Sequence, residues 1–323
     1  MILDILLLVA GLVLLVLGAD WLVKGASSIA KKLRVSALVI GLTVVAFGTS
    51  MPELTVSTTA ALNGSPDIAL GNVVGSNIAN ILLILGVCAL FRNLTVKSTT
   101  VWKEIPLAVV GMLLLFVFGN DHLFDNIATN ALTRTDGIAL LVLFGIFMYY
   151  IFGLAKSDRA MAKEAEESEI KVFATPLSAG YILAGLGLLV GGGRLLVDNA
   201  VDIASAAGLS EALIGLTVVA IGTSLPELAT SLVATYRGQN DIAVGNIVGS
   251  NIFNIFWILG LSSIITPLPV SANASIDMLV GLGVTSLLFF VMFLGRKHML
   301  TRAEGMLFVV AYIGYTGYLI QRG

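Results

Sequence analysis

Long apolar runs alternate with short polar intervals along the chain, and the runs have membrane-crossing length. They fall near residues 2–22, 36–62, 68–90, 104–119 and 136–155, then near 177–198, 210–236, 242–265, 276–294 and 303–320. About 20 apolar residues cross the hydrocarbon core as a helix, and a helix satisfies its own backbone hydrogen bonds where no water is present. The pattern predicts an all-α integral membrane protein with ten transmembrane helices. The only sizeable hydrophilic segment, KSDRAMAKEAEESEIK at 156–171, reads as a solvated linker. It divides the chain into a five-helix unit at 1–155, a linker at 156–176 and a second five-helix unit at 177–323.

The two units share a written motif. Residues Gly41 to Gly86 recur as Gly215 to Gly260 without a gap, at an offset of 174, with about 30 of 46 positions identical. Polar positions repeat with the rest. Thr49, Ser50, Pro52, Glu53, Ser76, Asn77 and Asn80 return as Thr223, Ser224, Pro226, Glu227, Ser250, Asn251 and Asn254. A function built on one set should use both.

Basic residues orient the map, because cytoplasmic loops are enriched in Lys and Arg. With odd-numbered spans leading inward, 15 of the 18 lie on the inner side and only Arg134, Arg194 and Arg322 on the outer. Both termini are then expected outside the plasma membrane and the linker in the cytoplasm. An odd number of spans per unit makes the second unit start on the opposite face, so the repeats are expected to be inverted.

Composition excludes a water-soluble fold: 57% of the 323 residues are hydrophobic, mean hydropathy is +0.99 and only 12% are charged, against about 25% in soluble domains. The N-terminal run has an acid and no base before it and no clear cleavage site, so it reads as a retained span rather than a signal peptide. A net charge of −2 gives no sign of a nucleic-acid partner. One cysteine, Cys88, and two histidines leave no basis for a disulfide framework, a zinc centre or another cofactor. No HExxH or GxSxG motif and no histidine deep in a span supply a nucleophile with its base, so an enzyme is not expected.

Glu53 and Glu227 are the only acids the map places deep within spans, where a charge costs several kcal/mol. No basic residue lies at matching depth to pair with them. Either each is a protonated, hydrogen-bonded group at a helix contact, or the two converge on a cation at the bilayer midplane. Pro52 and Pro226 precede these acids and release carbonyls around Ala46–Thr49 and Ala220–Thr223, as candidate ligands or as mere packing kinks. Ser76 with Asn80, and Ser250 with Asn254, stack one helical turn apart. Their oxygens can complete a cation site or bond between helices. Ca²⁺ and Na⁺ are the hard cations that favour an all-oxygen shell. Asn77 and Asn251 point elsewhere on the helix and read as packing groups. Gly71, Gly75, Gly245 and Gly249 read as close-contact positions, and Asp67 and Asp241 as helix caps.

GLTVVAFGTSMPEL with GNVVGSNIANILLILG, and GLTVVAIGTSLPEL with GNIVGSNIFNIFWILG, closely resemble the two alpha repeats of the calcium/cation antiporter superfamily, in its branch of sodium/calcium exchangers and their prokaryotic relatives. The resemblance implies Ca²⁺ carboxylates at Glu53 and Glu227, and oxygen ligands at Thr49, Ser50, Ser76, Thr223, Ser224 and Ser250. It also implies backbone carbonyls near Ala46 and Ala220. Proton-coupled members carry an Asn–Ala–Glu type motif where this chain has Ser50-Met51-Pro52-Glu53 and Ser224-Leu225-Pro226-Glu227, which favours sodium coupling. Potassium-dependent relatives place Asp where this chain has Asn254. The expected activity is exchange of Ca²⁺ for Na⁺ in the lipid bilayer, with Ca²⁺/H⁺ exchange and a passive cation channel as the alternatives.

Overall fold

The structure is a computed structural model that describes residues 2–124, 126, 128–157, 171–206 and 220–322. Among these the fold is built from helices, with only four two-residue strands. The first helix, α1 (Ile2–Leu33), is followed by α2 (Ala37–Thr49) and α3 (Met51–Leu62), a pair bent by 47° at Ser50. Then come α4 (Pro66–Phe91), α5 (Thr100–Phe118) and α6 (Arg134–Ser157). The second half contributes α7 (Thr175–Ala206), α8 (Leu225–Tyr236), α9 (Asn240–Ile265), α10 (Ala272–Val291) and α11 (Arg302–Arg322). Eight of these helices are long and apolar enough to cross a membrane singly, and the bent pair α2–α3 adds a ninth span. The seventh expected span, 210–236, has its first half outside the described residues; one turn at Ala220–Gly222 and α8 are its described part.

Several boundaries differ from those expected. The helix of the first run continues past residue 22 to Leu33, because nothing breaks it before Arg34, which takes a positive φ of 55°. Lys24 therefore lies on α1, paired with Asp20 at 2.6 Å, and Asp20 also bonds Arg237. At the fourth span, helix begins at Thr100 rather than 104, which carries Glu104 into the interior at 0% exposure.

Burial orders the helices. In α4 and α9, 78% and 94% of the apolar window is enclosed by protein, against 28% for α1 and 11% for α11. The two helices carrying the GNxVGSN motif are thus the most enclosed of the long apolar helices. Without a hydrophobic force between helices in lipid, close backbone contact has to hold them. Along α1 and α7 this takes the form of a seam repeated every seven residues: Gly11 meets Gly192, Gly18 meets Gly185 and Gly25 meets Ser178. Numbers rising on one helix as they fall on the other make the pair antiparallel. A Cβ at Gly18 would sit 2.8 Å from the Gly185 carbonyl oxygen and from the Leu189 nitrogen, so neither backbone can admit one.

Two short antiparallel ladders join the halves at the helix ends. Leu94–Thr95 (β1) pairs with Met299–Leu300 (β4), and Ala131–Leu132 (β2) pairs with Leu268–Pro269 (β3). Beside them, Thr133 and Thr301 cap α6 and α11, their backbone N–H groups donating to Asp136 and Glu304 three residues on. Gly245 and Gly249 fulfil the close-packing expectation against α2, whereas a Cβ at Gly71 or Gly75 meets nothing within 4 Å among the described residues. Asp67 and Asp241 are not caps. Ser65 and Gln239 occupy the N-cap positions, and the two acids reach across to the other half instead, to Ser271 at 2.8 Å and Lys97 at 3.0 Å.

Gly18→Val should separate α1 from α7 and lower the thermal midpoint of the detergent-solubilised protein by several degrees, because backbone rather than a side-chain tip opposes the added atoms. Gly187→Ala, on the same seam helix but with nothing within 4 Å, should leave the midpoint unchanged.

Candidate functional site

The break at Ser50 is the local event that makes the site. Ser50 (φ −83°, ψ 8°) and Ser224 (φ −88°, ψ 5°) leave helical geometry, and a proline follows each within the first turn of α3 or α8. Proline tolerates that turn, since its missing donor would be unpaired there in any case. Each break turns a Ser-X-Pro-Glu stretch inward, so that Glu53 and Glu227, both 1% exposed, face the central helices.

The two copies interlock there. Glu53 Oε1 accepts from Ser76 of its own copy at 3.4 Å and from Ser224 of the other at 3.2 Å. Glu227 Oε1 accepts from Ser250 at 3.4 Å and from Ser50 of the other copy at 2.9 Å. These four contacts recur with the copies exchanged, and Ser224 also reaches Ser76 Oγ at 3.1 Å. The second oxygens, Glu53 Oε2 and Glu227 Oε2, are buried without a hydrogen-bond partner among the described residues.

One turn further along α4 and α9 the helices widen to π-helix, over Asn80–Leu85 and Phe253–Leu259. Such widened turns often mark functional positions. Asn80 and Asn254 enter a four-asparagine clasp between the halves: the Asn80 amide donates to Asn251 Oδ1 at 2.9 Å and the Asn254 amide to Asn77 Oδ1 at 3.0 Å. Asn77 and Asn251 in turn donate to each other's backbone carbonyls at 3.3 Å. The clasp consumes the amide N–H groups and leaves Asn80 Oδ1 and Asn254 Oδ1 buried and unpartnered. Four buried acceptors, two of them carboxylate oxygens, thus lack donors among the described residues. A buried acceptor is costly unless something electropositive meets it.

Of the remaining expected ligands, Thr49 and Thr223 are held by asparagines of the opposite copy, Asn246 at 3.1 Å and Asn72 at 3.3 Å. The Ala46 carbonyl is not simply released by the proline, for it accepts the Ser50 N–H at 3.0 Å and the Thr49 hydroxyl at 3.3 Å. Ala220 is the first described residue of its segment. Asn72 and Asn246 were absent from the expected set although the sequence marks them: each stands four residues before the site serine and recurs at the offset of 174. A cavity of about 520 Å³ reaches the edge of this region at Asn72, Ser76 and Thr223, and its far end is lined by Asp67, Ser271, Asp277 and Arg322.

Glu53 and Glu227 are not the only acids inside the helical bundle. Glu104 is fully buried and accepts from the Tyr150 hydroxyl, while Asp277 is held by both Arg322 nitrogens, at 2.8 and 2.9 Å. These two lie at helix starts, where the hydropathy pattern had set the span boundary too far along. Among the described residues no three His, Cys, Asp or Glu side chains cluster to hold a metal. The site is two carboxylates in a shell of neutral oxygens.

The model of the sodium/calcium exchanger protein family matches residues 3–153 and 177–321, covering both halves. The chain belongs to the sodium/calcium exchanger family. It is 43% identical over 320 residues to the CaxA protein of Alkalimonas amylolytica, with 98% of each chain covered. It is 32% identical over 340 residues to the sodium/calcium exchanger MaX1 of Methanosarcina acetivorans, with 97% of each covered. Its fold is similar to that of the sodium-calcium exchanger NCX_Mj soaked with Na⁺ and Sr²⁺, at a TM-score of 0.82 and 34% identity over 97% of both chains. This exchanger is therefore a multi-span, all-α membrane cation antiporter.

Proposed function

We propose that this exchanger carries Ca²⁺ out of the cell against inward Na⁺, by alternating access of one midplane site built around Glu53 and Glu227. The observation that carries the reading is the pair of buried carboxylates, each with one oxygen unpartnered and neither ion-paired to a basic residue among the described residues. Two ionised carboxylates bring a charge of about −2, which one Ca²⁺ or two Na⁺ neutralise, so the two loads compete for one low-dielectric space. Around the carboxylates, Thr49, Ser50, Ser76, Thr223, Ser224 and Ser250 supply hydroxyls, Ala46 and Ala220 supply carbonyls, and Asn80 and Asn254 supply their free amide oxygens. Neutral cages of this kind suit Na⁺ without any protonation step. MaX1 is itself a sodium/calcium exchanger, and NCX_Mj was soaked with Na⁺ and a divalent cation chemically close to Ca²⁺; both support the assignment of ions. Exchange of Ca²⁺ for H⁺ is the second reading, since carboxylates that lose a cation in a dry core can take protons instead.

The scaffold that goes with this reading has ten spans in two inverted five-helix repeats, 1–155 and 177–323, joined by the cytoplasmic linker 156–176. Both termini lie outside the plasma membrane. What supports inversion is that α1 and its counterpart α7 run antiparallel along their glycine seam. Repeats related by an axis along the membrane normal would place them parallel.

Glu53→Gln and Glu227→Gln should each reduce ⁴⁵Ca²⁺ transport in proteoliposomes at least a hundredfold while leaving the thermal midpoint within a few degrees. Removing an unpaired buried charge relieves desolvation rather than breaking an ion pair. Wild-type transport by either variant would remove the assignment. For topology, single cysteines replacing Lys171 and His122 in a Cys88→Ala background should react with a membrane-impermeant thiol reagent from the cytoplasm and from outside, respectively. Labelling of both from one face would overturn the inverted map.

A further inference from the structure

We infer that Asn72 and Asn246 are positioning residues that take the hydroxyl protons of Thr223 and Thr49 out of the ion's path, turning the threonine lone pairs, and the Ala46 carbonyl, toward the cation. The inference rests on the two-carboxylate cation site proposed above and adds a specificity-setting layer to it.

A hydroxyl has one proton and two lone pairs, and it ligates a cation only when the proton points elsewhere. Thr49 has two acceptors at hydrogen-bond distance, the Ala46 carbonyl at 3.3 Å and Asn246 Oδ1 at 3.1 Å, and it also lies beside the Glu227 carboxyl. They are not equivalent in consequence. The Ala46 oxygen already accepts the Ser50 N–H at 3.0 Å, so a second proton from Thr49 occupies both of its lone pairs and closes it to an ion. With the proton on Asn246, one lone pair of the carbonyl stays open beside those of the hydroxyl.

The direction of the Asn246 amide is fixed from the other end. Its Nδ2 donates to the Glu227 backbone carbonyl at 3.4 Å and to Ser231 Oγ at 3.0 Å, and Ser231 donates to the Ala243 carbonyl at 3.5 Å. A carbonyl only accepts, so reversing the amide would set oxygen against oxygen at Glu227. The chain of bonds therefore runs one way, from the Thr49 hydroxyl to Asn246 Oδ1, and from the Asn246 amide through Ser231 to Ala243. The same chain exists in the other copy: Thr223 donates to Asn72 Oδ1 at 3.3 Å, and Asn72 Nδ2 donates to the Glu53 carbonyl at 3.2 Å and Ser57 Oγ at 2.9 Å. Ser57 donates in turn to the Ala69 carbonyl at 3.4 Å. Every member recurs at the offset of 174. Each chain begins on a threonine of one copy and ends on the helices of the other, so the proton placement of each threonine is set by the opposite copy.

Na⁺ should depend on this device more than Ca²⁺ does. A monovalent ion held among neutral oxygens relies on each of them, whereas a divalent ion is held chiefly by the two carboxylates.

The test is a pair of double-mutant cycles read as Na⁺ competition against ⁴⁵Ca²⁺ binding to the purified protein, with isosteric Asn→Leu and Thr→Val changes. Asn246→Leu and Thr49→Val should each raise the Na⁺ concentration for half-displacement roughly 5- to 10-fold, with Ca²⁺ affinity changed about 2-fold or less, as for loss of one ligand-orienting hydrogen bond. The double variant should be no worse than the poorer single one. The crossed pair, Asn246→Leu with Thr223→Val, should multiply. Asn72→Leu with Thr223→Val repeats the cycle at a half-buried pair that tolerates substitution if the fully buried Asn246 does not. Multiplying effects within a true pair, at intact Na⁺ competition, would overturn the positioning role and leave the site assignment standing. Wild-type protein whose bound Ca²⁺ is indifferent to Na⁺ would overturn the Na⁺ reading and this inference together.

Discussion

Everything in this fold is arranged around the cost of keeping two carboxylates out of water with no base beside them. Moving an ionised carboxylate into a medium of low dielectric costs several kcal/mol even after relaxation, and a mobile cation is what offsets it in an antiporter. Serine hydroxyls satisfy one oxygen of each carboxylate and leave the other unpartnered. On the function proposed above, that half-satisfied state is the physical basis of exchange: an empty site is unfavourable, so release of one load is coupled to uptake of the next. A fixed Lys or Arg at that depth would neutralise the pair permanently and abolish the need for an ion.

The requirement propagates outward through the structure. To bring Glu53 and Glu227 together, two helices must break at Ser50 and Ser224, and broken helices need neighbours that satisfy the backbone they expose. Those neighbours are α4 and α9, the most enclosed helices of the bundle, which carry the serines and asparagines that bond across the interface. The asparagine clasp fixes the register of α4 against α9 and turns the Asn80 and Asn254 oxygens away from their own amide contacts. Glycine at 245 and 249 lets α2 approach α9 closely enough for Thr49 to reach Asn246. Packing and chemistry are one problem here, since a shift of either helix would move a hydroxyl out of reach of its carboxylate.

Much of this was legible in the sequence because duplication filters noise. A single Pro-Glu in an apolar run has an ordinary explanation; the same pair in two copies, with Ser76 and Ser250 recurring in step, points to one shared site, and the structure brings these residues together. Hydropathy located the spans but misplaced their ends, because Lys24 and Lys103 are good helix formers that a charge-based boundary rejects. Glu104 thereby stands at the edge of its expected span rather than inside it, and the partners of Asp67 and Asp241, Ser271 and Lys97, lie far away in sequence. The hydrogen-bond directions around Asn72 and Asn246 were out of reach for a deeper reason. Helix periodicity put them on the same face as the site serines, but which atom of an amide faces which neighbour depends on the fold of the other copy. The first half of the seventh span lies outside the described residues, and its place in the ten-span scheme rests on the repeat.

The measurement closest to the central claim is Ca²⁺ uptake by the purified protein in sealed proteoliposomes loaded with Na⁺, with external Na⁺ and pH set independently. Competition of two Na⁺ with one Ca²⁺ for the same pair of carboxylates predicts that an outward Na⁺ gradient drives ⁴⁵Ca²⁺ uptake with pH equal on both sides and K⁺ absent. Uptake that ignores the Na⁺ gradient and follows an imposed pH gradient instead would contradict it.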